Sequence, residues 1–166
     1  DFCLSRGLGD VYKRQHKRVK GTKVHAVVDE RSLPINITIG KGDEHEGRRL
    51  IPLMDSIRIE HQGKGRPRKN PKKVYADTKY SMDINRLYLD ERKITSQIPS
   101  RARKRKPGRP RIFNRAIHRK VRYTVERFFG WTSNFRKLVV RYERLATTFS
   151  GLIHLACIMI LWRVLK

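Results

Sequence analysis

RKVRYTVERFFGWTSNFRKLVVRYER, residues 119–144, is the stretch on which the reading turns. At about 3.6 residues per turn, Val121, Val125, Phe128, Phe135, Val139 and Tyr142 fall on one side of a helix. Arg119, Arg122, Glu126, Ser133, Lys137 and Arg144 fall on the other. The pattern predicts a core-facing apolar stripe backed by a basic face, with one carboxylate, Glu126, alone among cations. Taken by itself that face requires no function. Arg122 and Glu126 are four residues apart, and such a surface pair stabilises a helix by about 0.2–0.5 kcal/mol.

The charge of the whole chain narrows the choice. Its 166 residues carry 40 Lys and Arg against 15 Asp and Glu, a formal net charge of +25, with 38% hydrophobic residues. That is enough apolar material for one domain with a core. Self-repulsion on this scale implies a polyanionic partner. Nucleic acid comes first, because Lys and Arg displace the counterions condensed on phosphates; a membrane surface comes second. Cys3 and Cys157 give neither a disulfide framework nor a zinc spacing, which suits a reducing, cytoplasmic setting. Phe149–Leu165 is the one membrane-like run. It is short for a span and carries His154 and Arg163, so it is expected to be a buried terminal helix.

Outward from the central helix, residues 1–15 show no clear period. Asp10–Gln15 (DVYKRQ) is what one frame of a transposon-end sequencing adaptor would encode, so residues 1–15 are expected to be a non-native tail outside the fold. Lys23–Val28 and Pro34–Ile39 read as strands joined by a turn of hairpin length. His45–Ile57 has helical spacing through Leu50, Leu53, Met54 and Ile57. Lys73–Asp77 is a short buried strand ending in an acid. Ser81 is expected to cap a helix to about Arg92 that turns Ile84, Leu87 and Tyr88 inward, and Ile94–Ile98 is a brief strand. Strands first, then strand and helix alternating, predict an α/β class: a mixed sheet flanked by helices with a helical C-terminus.

Asp77 ends a buried strand, which is where open α/β sheets place ligands. Glu126 projects from a basic helix. Two carboxylates converging from separate elements in a positive cleft are what a divalent-metal phosphoryl-transfer site requires, since hard cations take oxygen ligands.

The segments KGTKVHAVVD (20–29), VYADTKYSMD (74–83) and VERFFGW followed by FRKLVVRYERLATTF (125–149) resemble, in order and spacing, the DDE-type (Asp-Asp-Glu) catalytic domain of bacterial insertion-sequence transposases. The resemblance covers residues 16–166. It implies a ribonuclease-H-like fold, two magnesium or manganese ions, and metal-dependent DNA cleavage and strand transfer on transposon ends and target by a homodimer in the cytoplasm, with no membrane role. Carried over by motif, Asp77 matches the second aspartate and Glu126 the glutamate, as catalytic residues and metal ligands. Arg122 matches a basic residue that approaches DNA, and Arg119 lies beside it. Where the family often has a lysine seven residues after the glutamate this chain has Ser133, and Lys137, one turn on, is the expected substitute. The first aspartate belongs to a first strand that this reading expects to be missing. The resemblance therefore implies an N-terminally truncated transposase that is catalytically inactive. Its rival is a non-catalytic basic nucleic-acid-binding protein.

Asp29 follows a strand and is tempting as a replacement ligand, but an Asp there also forms turns. His25 is expected half-buried on its strand. Asp43, Glu44, His45 and Glu46 precede a helix, where the dipole favours acids without any metal. Trp131 and Phe135 read as core rather than as base-stacking platforms. Two Gly/Pro/basic loops carry the echo GRPR, at Gly65–Arg68 and Gly108–Arg111. Arg66, Arg68, Arg109 and Arg111 are the candidate DNA contacts there, either on phosphates or in a narrow A·T minor groove.

Overall fold

The computed structural model describes residues 2–5, 21–60, 65–100 and 113–166. Five strands form one sheet: β1 (Phe2–Ser5), β2 (Thr22–Val28), β3 (Pro34–Lys41), β4 (Lys73–Ala76) and β5 (Thr95–Gln97). Their order across the sheet is β3-β2-β1-β4-β5. β2 is antiparallel to both β1 and β3, while β1, β4 and β5 run parallel. The helices are α1 (Leu50–Asp55), α2 (Asp83–Glu91), α3 (Arg115–Thr132), α4 (Arg136–Val139) and α5 (Ala146–Leu165), with 3-10 turns at Glu46–Arg49 and Thr78–Tyr80.

The two-residue period of the strands splits the core into two layers. Val24, Ala26 and Val28 of β2 and Tyr75 of β4 join Val125, Phe128, Leu138, Phe149 and Ile153 on one face of the sheet. Val27 of β2 and Val74 and Ala76 of β4 join Leu50, Leu53, Met54, Ile57, Leu89, Ile94 and Ile98 on the other. A sheet covered on both faces explains why these strands read as apolar runs rather than clean alternations.

Four sequence expectations are corrected. The slot of the absent first strand is filled: Phe2–Ser5 lies in the middle of the sheet, its backbone paired with β2 and β4. These residues are therefore inside the fold and not in a tail outside it. The α2 helix is out of phase with its reading, since Ile84 and Leu87 are exposed while Asn85 and Leu89 are buried. Asn85 Nδ2 donates to Gly47 O and Tyr80 O, bonds that hold this polar residue inward. Ser81 caps nothing there; its Oγ accepts from Arg86.

The central helix is two helices. It closes at Ser133, where Ser133 Oγ donates to Gly130 O at 2.6 Å and the amides of Asn134 and Phe135 bond three residues back. Ser and Asn side chains compete with the helical ladder, which makes such a stop inexpensive. The register then restarts, so Leu138 is buried while Val139 and Tyr142 are exposed.

The terminal helix is buried on one side only. Among the described residues α5 is the one helix long and apolar enough to cross a membrane. Phe149, Ile153, Ala156, Cys157 and Ile160 pack into the larger core cluster, whereas Leu155, Ile158, Met159 and Trp162 are exposed. Cys157 lies on the packed side, and burial pushes its thiol up to about 12.

Val125 and Phe128 seat α3 on the sheet with no exposed surface. Truncating Phe128 to Ala is expected to destabilise the fold by about 3–5 kcal/mol, through lost transfer energy and the cavity left behind. Urea unfolding followed by far-UV circular dichroism measures this; a change under 1 kcal/mol would show that α3 is not anchored there.

Candidate functional site

Asp77 follows β4 directly, at the C-terminal end of a strand parallel to its central neighbour. Its Oδ1 accepts from the Thr78 amide at 2.7 Å, so the acid caps the 3-10 turn Thr78–Tyr80. α3 meets β4 at that end, where His118 Nε2 donates to Ala76 O at 3.1 Å. A carbonyl only accepts, which fixes the proton on Nε2. From there α3 runs back across the sheet, and Arg127 Nε donates to Ser32 Oγ in the β2–β3 turn at 2.8 Å.

Glu126 lies eight residues past His118, about 12 Å farther along the helix axis. Its carboxylate accepts from Arg122 Nε at 3.0 Å, and both side chains are more than half exposed. Each acid has its own donor, the Thr78 amide for Asp77 and the Arg122 guanidinium for Glu126. Arg119 and Arg122 share the exposed side of α3 with Glu126. Lys137 is also exposed but belongs to α4, beyond the break, so it is not one turn on from Ser133 along a continuous helix. Arg66 and Arg68 are exposed on the loop after α1, and the backbone of Arg68 pairs with Ile59. Arg109 and Arg111 lie outside the described residues.

Asp29 is a turn residue. Its Oδ1 accepts from the amides of Arg31 and Leu33 at 2.9 and 2.7 Å, at the far end of the sheet from Asp77. Trp131 and Phe135 pack against the core cluster, with the Arg127 guanidinium 5.5 Å from the Trp131 ring.

Beside Asp77 lies a polar cluster that the sequence reading divided into separate pieces. His25 is 1% exposed, not half-buried, and its Nδ1 is 2.9 Å from the Tyr80 hydroxyl. Glu46 is 4% exposed; its Oε1 accepts from Lys79 Nζ at 2.8 Å and lies 3.8 Å from Lys23 Nζ. Lys23 Nζ also donates to Glu44 O at 2.9 Å. The Arg49 guanidinium donates to Glu44 at 2.8 Å and holds that carboxyl below the usual range. A Cβ at Gly40 would come within 3.2 Å of both Arg49 and Glu44, so glycine lets β3 lie close to this cluster. Glu46 stands in the first turn of the 3-10 helix, as expected, and is in addition an internal counter-ion to Lys79 and Lys23. The signal that could have joined the pieces is periodicity. Lys23, His25 and Val27 share one face of β2, and Lys79 and Tyr80 follow Asp77 within three residues.

A family model, the transposase DDE domain, matches residues 6–161. The chain belongs to the DDE transposase family. It is similar to a putative transposase for insertion sequence element IS402 of Burkholderia cepacia, with 30% identity over 146 residues, 88% of this chain and 65% of that protein. It is also similar to a putative transposase for IS6501 of Brucella ovis, with 34% identity over 143 residues, 84% of this chain and 96% of that protein. The chain thus spans less than two thirds of the length of the first relative. No solved structure matches it.

Transposases of this family act on DNA and generally depend on divalent metal. Among the described residues of this DDE domain, no group of three or more His, Cys, Asp or Glu side chains could hold a metal ion. Strand β1, Phe-Cys-Leu-Ser, brings no carboxylate to the middle of the sheet. Among the described residues the acids stand singly, whereas two divalent cations need more carboxylate charge than a single acid supplies.

Burial, ahead of the charges of Glu46, Arg49, Lys23 and Glu44, lowers the affinity of His25 for a proton below the ordinary value of 6.5. The unfolded chain then binds a proton that the folded chain refuses, so stability is lost as pH falls below 6.5. The thermal midpoint is expected to drop between pH 6.5 and 5 in the wild type and to drop less in His25→Gln. Parallel curves for the two proteins would show that His25 is not held neutral.

Proposed function

We propose that this chain is the DNA-binding core of an insertion-sequence transposase, and that as it stands it binds DNA without cutting it. The observation that carries the reading is the position of Asp77. It stands at the C-terminal end of β4, beside the docked start of α3, with lysines and arginines on both flanks. Strand order β3-β2-β1-β4-β5, with only β2 reversed, supports a ribonuclease-H-like fold.

In the intact parent, Asp77 and Glu126 would be joined by an aspartate on the central strand, and the three acids would bind two magnesium or manganese ions. Metal in such a site supplies charge neutralisation to an in-line attack on a phosphodiester. This chain lacks that aspartate in β1. What its own residues do is hold the polyanion: Arg119 and Arg122 along α3, Lys137 on α4, and Arg66 and Arg68 on the loop, with Arg109 and Arg111 assigned the same task. Transposon ends and target DNA are the proposed ligands, a homodimer the proposed assembly and the bacterial cytoplasm the proposed location.

Fluorescence anisotropy with a labelled duplex tests the binding half. Affinity is expected to fall steeply between 50 and 200 mM salt, as it does for proteins that make many phosphate contacts. Plasmid strand transfer in magnesium tests the other half: the chain is expected to give no more product than its Glu126→Ala variant. Strand transfer above that control would overturn the proposed inactivity.

A further inference from the structure

We propose that Lys23 and Lys79 form a phosphate-docking pair beside Asp77, held by the buried carboxylate of Glu46, and that the pair seats one phosphodiester of the bound DNA. The proposal rests on the DNA-binding reading above and adds a subsite to it. Both ammonium groups converge on one atom, Glu46 Oε1, from elements far apart in sequence: Lys79 at 2.8 Å from the turn after β4, Lys23 at 3.8 Å from β2. Glu46 itself is almost fully enclosed, whereas the lysine side chains are 29% and 30% exposed and so reach the surface.

The charge balance gives the pair its direction. One lysine would neutralise Glu46; the second leaves a positive charge at the lip. Among the described residues the other acids nearby have donors of their own, Glu44 the Arg49 guanidinium and Asp77 the Thr78 amide. Arg49 and Glu44 cancel each other in their own short pair, and burial keeps His25 neutral. Each ammonium carries three N–H donors. The bonds described use one on Lys79, to Glu46, and one on Lys23, to the Glu44 carbonyl. Donors therefore remain on both for a second acceptor.

A phosphodiester, with a single charge shared by two non-bridging oxygens, matches two compact ammonium donors placed side by side. The site is also close to the chemistry of the parent. Lys79 lies in the 3-10 turn that the Asp77 carboxylate caps, so a phosphate held there places its strand along the C-terminal edge of β4. Glu46 acts as a positioning residue: anchored to it, the two lysines lose less freedom when the anion arrives.

Two experiments test the pair. In the first, the wild-type chain is acetylated with and without a defined duplex and the modified lysines are read by mass spectrometry. Lys23 and Lys79 are expected to be protected several-fold by DNA, while Lys166 at the end of α5 is not. In the second, the salt dependence of duplex binding is compared among variants of confirmed thermal midpoint. Lys79→Gln is expected to reduce the slope of log affinity against log salt by about 0.9, the value for one lost phosphate contact. Lys79→Arg should retain the slope, and Lys166→Gln, with the same change in net charge, should leave it unaltered.

Unprotected Lys23 and Lys79 in a chain that does bind DNA, or an equal loss of slope in Lys166→Gln, would overturn the docking pair and leave DNA binding intact. Failure of the wild type to bind duplex in a salt-dependent way would overturn the DNA-binding reading and the pair with it.

Discussion

The structure depends on how α3 lies against the sheet. Val125 and Phe128 are fully enclosed between that helix and the apolar face made by Val24, Ala26, Val28 and Tyr75. Each such side chain contributes about 1.5–3 kcal/mol by leaving water. The seam also sets a direction. With His118 bonded at the end of β4 and Arg127 bonded at the β2–β3 turn, the helix crosses the sheet obliquely and keeps its arginines outward. A slip of one residue would turn Glu126 and Arg122 into the core, where neither charge could be solvated. The basic flank and the apolar seam are therefore consequences of a single register.

A second constraint acts at the opposite face. Burying a carboxylate costs several kcal/mol unless cations and donors replace water around it. Around Glu46 that replacement comes from two lysines on different elements, so the ion cluster links β2, the turn before α1 and the turn after β4. The His25–Tyr80 contact and the Asn85 bonds to Gly47 and Tyr80 tie the same three regions together. Asp77 is held at the start of a turn that these contacts make rigid. In a chain with a net charge of +25, an interior acid is also one of the few means of bringing two lysines close together.

Much of this was legible in the sequence where a residue's role is local. β-branched and apolar runs mark four strands within two residues of their bounds, and the helical spacing of Leu50, Leu53, Met54 and Ile57 corresponds to four buried residues. Asp29 as a turn residue and Trp131 and Phe135 as core also follow from short-range rules. What escaped was set by tertiary partners. Asn85 turns inward because carbonyls 38 and 5 residues away accept from it, and no periodicity reports that. The stop at Ser133 was hidden because the apolar spacing continues through it. Glu46 looked like a helix-start acid, since the lysines that surround it come from other elements. Strand β1 was passed over because four residues without a clear period are recognisable as a strand only through their neighbours' hydrogen bonds.

The function proposed for this DDE domain is a DNA-holding surface around an incomplete metal centre. Asp77 and Glu126 serve separate local partners, and the central strand offers no third carboxylate. Manganese binding by the purified chain, followed by electron paramagnetic resonance of the free ion, addresses this most directly. Weak, non-saturating binding that Asp77→Asn does not change is the expected result. Two stoichiometric sites that vanish in Asp77→Asn would contradict it.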